Sequence, residues 1–152
     1  MLQDIITNRA LVASSFAWAL AQLSKTLVAL LQGKGLRLRY LYGSGGMPSS
    51  HSAFVSALAT SVAMLQGLGS VTFAISLVVA LVVMYDAAGV RQSVSRQSRI
   101  INRIVKELRL GRHLTDIESD LRELVGHTPF QVFAGAALGI TVAWLWVTFA
   151  GT

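Results

Sequence analysis

The 152 residues are 53% hydrophobic and only 13% charged, with a mean hydropathy of +0.59 and a formal net charge of +6. Soluble domains carry about 25% charged residues, so this composition, with its apolar residues gathered in long runs, excludes an ordinary soluble domain and indicates a single membrane domain over 1–152. Cysteine is absent, which excludes disulfides, thiolate catalysis and cysteine-ligated metals.

A bilayer core takes about 20 apolar helical residues. Four stretches meet that length, at about 10–31, 51–68, 70–90 and 129–150, and predict an all-α bundle of four transmembrane helices. The first is too long for a signal peptide, contains Lys25 and lacks a convincing n-region, so it reads as a span. Gln22 and Lys25 share one face of it. Charges inside a membrane are expensive and turn toward a partner or a cavity. Snorkelling or an ion pair with Asp86 accounts for Lys25 as readily as use in a site.

The 32–50 connection carries Lys34, Arg37 and Arg39 and ends in "GGMPSSHSAF". Gly45 and Gly46 permit a tight loop and close approach to a ligand. Pro48, Ser49 and Ser50 open the second span, where unpaired N–H groups and the positive helix end favour phosphate. A serine cap is the plainer reading of Ser49 or Ser50. His51 follows in the first turn. "GLGS" alone joins the second span to the third, which requires an antiparallel hairpin.

The third span ends in "YDAAGVR", with Asp86 just over one turn inside and Arg91 at its end, where a planar guanidinium fork suits phosphate oxygens. Asp86 suits an ion pair or a catalytic role equally. Residues 90–108 pattern as a basic amphipathic helix lying on the membrane surface. His113, alone in its loop, reads as a bystander.

The fourth span opens with "GHTP". Thr128 suits an N-cap, Pro129 the first helical position, and Gln131 completes a capping box, with His127 immediately before. Its "GAALG" at 135–139 is a small-residue motif through which membrane helices approach closely. Packing within the chain is the favoured use and a homodimer interface the alternative.

Both connections, 32–50 and 91–128, fall on one side and hold the basic residues, whereas the other side offers only Arg9. The positive-inside rule places the connections in the cytoplasm and both termini outside, as in a bacterial-type inner membrane. The basic charge then serves topology and contact with anionic lipids. No aromatic–basic interleaving argues for nucleic acid. Two histidines at the starts of neighbouring helices, with arginines near, suit acid–base or nucleophilic work on a phosphate. No metal-hydrolase or Walker motif is present.

"GGMPSSHSAF", "MYDAAGVR" and "GHTPFQVFAGAALG" together resemble the divergent branch of the type 2 phosphatidic acid phosphatase and vanadium haloperoxidase superfamily, over about Ala21 to Ile140. That resemblance implies a helical, metal-free enzyme needing no cofactor, whose last histidine attacks phosphate while an earlier one donates a proton. Carried over, Lys25 corresponds to the lysine of the first block, Ser49, Ser50 and His51 to the second, and His127 to the nucleophile. Leu121 stands where the third-block arginine is expected. Arg91 is the first substitute and Arg122 the second. Gln131 takes the place of the terminal aspartate, with Asp86 the nearest candidate for the missing charge.

The expected function is a metal-independent lipid phosphatase. It would act on a lipid phosphate or diphosphate monoester at the cytoplasmic face, with membrane lipids as its partners. A noncatalytic module that binds lipid phosphates or assists membrane assembly is the alternative. Ion transport is disfavoured, since the four short spans show no inverted repeat.

Overall fold

The computed structural model describes residues 2–31, 46–89, 97, 100–101 and 128–149. These residues form helices and turns, with no strand among them. The helices are α1 (Leu2–Ile6), α2 (Arg9–Leu31), α3 (Ser50–Gln66), α4 (Val71–Ala88) and α5 (Pro129–Phe149). Three of them, α2, α4 and α5, are long and apolar enough to cross a membrane. Helix α3 has 17 residues, about 25 Å at 1.5 Å per residue. The surface helix expected over 90–108 lies almost wholly outside the described residues. Gln97, Ile100 and Ile101, which are described, are helical and exposed.

Helix boundaries follow cap chemistry. Asn8 Oδ1 accepts from the N–H groups of Ala10 and Leu11, each at 3.1 Å, and so starts α2. Ser49 and Ser70 cap α3 and α4, each side chain accepting from the N–H three residues on. Gly67, at φ 85°, ends α3 in a conformation that favours glycine. The turn that follows reverses the chain into α4, making the expected antiparallel hairpin.

Helix α3 is the hub. It packs against α2, α4 and α5, and α2 also packs against α5. Small residues make this possible. Ala10, Ala13, Ala17 and Ala21 line the buried stripe of α2, and Ala17 meets Ala57, Val142 and Ala143. Val55 and Ala59 meet Ala80 of α4. The Arg9 guanidinium donates to the Val147 carbonyl at 2.9 Å, which sets α2 antiparallel to α5. The starts of α3 and α5, the end of α4 and the last third of α2 therefore share one end of the bundle.

The glycines of "GAALG" work inside the chain. A Cβ on Gly135 would lie 2.2 Å from the Ser49 carbonyl oxygen, and one on Gly139 would lie 2.2 Å from the Ala53 carbonyl oxygen and from Ser56 Oγ. Both glycines are buried where α5 crosses the first two turns of α3. Ser56 Oγ adds a bond across that crossing, to the Ala136 carbonyl at 3.2 Å.

Candidate functional site

The shared end carries the polar interior. Lys25 is 3% exposed, yet its Nζ donates to Ser50 Oγ at 2.9 Å. Helical register makes the meeting: Lys25 lies about two turns from the end of α2, level with the first residue of α3. Gly46 closes against the lysine stem with φ 94°, and a Cβ there would lie 3.7 Å from Lys25 Cγ. This loop position favours glycine for its backbone conformation.

Ser49 is fully buried and central. Its hydroxyl accepts from Ser52 N–H at 3.4 Å and from Ser52 Oγ at 3.0 Å. Its own N–H donates 3.0 Å to the Gln131 carbonyl in the first turn of α5. The two helix starts are thus joined through backbone. Ser49 is the cap, and Ser50 turns its hydroxyl to Lys25 instead.

The Thr128–Gln131 capping box is present. Gln131 Oε1 accepts from Thr128 N–H at 3.0 Å, and Thr128 Oγ1 accepts from Gln131 N–H at 3.4 Å. The Gln131 amide oxygen therefore serves the helix start. His51 is the second residue of α3 and is exposed, and Asp86, half-buried, is two residues before the end of α4. The antiparallel hairpin brings them to the same end of the bundle. His127, Arg91 and Arg122 lie outside the described residues. In sequence, His127 directly precedes Thr128. Among the described residues, no group of three or more His, Cys, Asp or Glu side chains is placed to hold a metal.

Sequence reading missed the serine ladder. Ser49, Ser52 and Ser56 are buried in α3. Ser52 bonds back to the cap, whereas Ser56 Oγ reaches the Ser52 carbonyl at 2.6 Å and α5 across the crossing. Their spacing of three and four was the available signal, since it puts them on one helix face. Gly135 and Gly139 repeat that spacing on the partner helix.

Comparisons with known proteins bear on the family of the chain. The family model described as "Divergent PAP2 family" matches residues 6–142. The uncharacterized membrane protein YuiD of Bacillus subtilis (strain 168) is 37% identical over 146 residues, covering 90% of this chain and 92% of that protein. No solved structure matches. A match over nearly the whole chain and a relative of this identity lead to one conclusion: the chain belongs to the divergent PAP2 family.

Proposed function

We propose that this membrane protein is a metal-independent lipid phosphatase, with its phosphate site at the end of the bundle shared by Lys25 and Ser50. The observation that carries this reading is the buried Lys25 ammonium, whose hydrogen-bond acceptor is a neutral hydroxyl. An ammonium has three N–H donors, and burying its charge without an anion is costly. A phosphate monoester supplies the missing charge and acceptors. The N-terminal turn of α3 adds the favourable end of a helix dipole, and Gly46 brings backbone close beside the lysine.

In this reading His127 attacks phosphorus. The bond to the lipid oxygen breaks, and His51 protonates that oxygen. Water then attacks the phosphohistidine, releasing inorganic phosphate and restoring the imidazole. Lys25, Ser49, Ser50 and Gly46 hold phosphate oxygens, joined by Arg91. Asp86 supplies negative charge near the histidines. The basic connections put this end at the cytoplasmic leaflet, with α3 as a fourth, short span and 90–108 along the surface.

A binding module is favoured by one observation. The Gln131 amide oxygen is engaged with Thr128 N–H, and glutamine brings no charge to orient a nucleophilic histidine. Phosphate release from a panel of lipid phosphates, using purified protein with chelator, separates the two readings. Turnover that survives chelation and is abolished in His127→Ala supports the phosphatase. Tight binding without turnover supports the module.

A further inference from the structure

We propose that a groove between α2 and α4 holds the hydrocarbon chain of the phosphate-bearing lipid, so that the lipid enters sideways from its leaflet. The proposal rests on reading the Lys25–Ser50 end as a lipid-phosphate site. The geometry behind it comes from how α3 is surrounded.

Three helices occupy three directions around α3. Ser50 and Ala57 face α2, through Lys25 and Ala17. Ser49, Ala53 and Ser56 face α5, through Gly135 and Gly139. Val55 and Ala59 face Ala80 of α4. At 100° per residue, the stripe His51, Phe54, Leu58 and Val62 falls between α2 and α4, with Phe54 packed against the Val55–Ala59–Ala80 cluster at its α4 edge. Among the described residues α4 approaches α5, but α2 and α4 do not approach each other. The stripe is correspondingly open: His51 is exposed, and Phe54, Leu58 and Val62 are only half-buried in the otherwise most enclosed helix.

The groove has a polar head and an apolar length. Lys25 and His51 stand at its head, and the register of α4 turns Asp86 toward the same side. Below them the floor is Phe54, Leu58 and Val62, and Trp18 of α2, 42% exposed, flanks it. From His51 to Val62 is about 16 Å along the helix at 1.5 Å per residue. One leaflet of a hydrocarbon core about 30 Å thick has that depth. A soluble phosphate ester would use the head alone. A lipid phosphate fits both parts, with its negative group at Lys25 and its chain along the apolar floor.

The test is photocrosslinking of the full chain in nanodiscs with phosphatidic acid carrying a mid-chain diazirine. Phosphatidylcholine with the same labelled chain serves as control. The expected result is labelling at Phe54, Leu58, Val62 or Trp18, several-fold stronger with the phosphatidic acid. Equal labelling by both probes, or labelling confined to the outward face of α4 at Val78 and Val82, overturns the proposal. Leu58→Trp should narrow the floor and lower phosphatidic acid labelling of Phe54, Val62 and Trp18 several-fold while vanadate still binds. Undiminished labelling in that variant also overturns it. Phosphate release in the same samples separates the two readings. Groove labelling without release removes the phosphatase and leaves the groove. Release without groove labelling does the reverse.

Discussion

Ser49 and Ser70 begin successive helices with the same chemistry, a serine hydroxyl accepting from the N–H three residues on. Their surroundings differ. Ser70 works locally: its hydroxyl donates to the Gly67 carbonyl at 2.8 Å within its own turn, and Thr72 and Gln66 complete an exposed hydrogen-bonded loop. Ser49 is fully buried, takes a second bond from Ser52, and is joined to α5 through its backbone N–H. One cap serves its own hairpin turn, whereas the other ties α3 to α5 beside the residue, Ser50, that bonds the buried Lys25. The difference teaches that a cap motif marks a helix start, and that only its burial and its bonds to other helices tell a local cap from a packing junction.

On the proposed orientation, the largest contrast between the two ends is the side of the membrane each faces. Gly69, where a Cβ would meet nothing within 4 Å, tolerates a cysteine, and the chain has none of its own. Gly69→Cys is expected to react fully with an impermeant maleimide added outside intact cells. Protection until the cells are opened would invert the orientation drawn from the basic connections.

Next in size is the helix crossing at the site end. In Gly135→Ala the new Cβ would press on the Ser49 backbone, which cannot swing aside as a side chain can. Overpacking costs about 1–3 kcal/mol, and this clash is expected at the upper limit or beyond it. The loss should show as a lowered unfolding midpoint in detergent. Gly69→Ala, at the other end, is expected to leave the midpoint within about 0.5 kcal/mol of wild type.

Removing the caps sharpens the comparison. Ser70→Ala should cost about 1 kcal/mol, the ordinary value for an N-cap. Ser49→Ala also leaves the buried Ser52 hydroxyl without its acceptor, so about 2–3 kcal/mol is expected. Equal costs, measured by denaturant titration of both variants, would show that the cross-helix ties add nothing. The smallest effect belongs to Gln131→Glu. A glutamate closes the same capping box, so stability and phosphate turnover should change by less than about twofold. A rise of orders of magnitude would instead mark Gln131 as the element weakening the site.

Much of this was legible because it is local. The Thr128–Gln131 box depends on four consecutive residues, and the hairpin depends on the shortness of "GLGS". That Lys25, Ser49 and Ser50 lie toward one end of the bundle followed from counting spans, whereas the bond from Lys25 to Ser50 did not. Partners across helices were not legible. "GAALG" marks a close helix approach and favours one within the chain without naming the partner helix, and only the three-dimensional crossing places Gly135 and Gly139 on Ser49 and Ala53. Four similar apolar runs also concealed the hub. Helix α3 is enclosed on several faces, so its sequence has no single apolar stripe, and its buried serines pass for polar scatter. The roles expected of His127, Arg91 and Arg122 fall outside the described residues and rest on sequence.

The most direct measurement is equilibrium binding of vanadate, a phosphate analogue, to purified wild-type and Lys25→Met protein in nanodiscs. A hydrogen bond to a charged group contributes about 1.5–3 kcal/mol. Removing the ammonium should therefore weaken binding by roughly ten- to a hundredfold, with helix content unchanged by circular dichroism. Vanadate affinity unaltered in Lys25→Met would contradict a phosphate site at the Lys25–Ser50 end of the bundle.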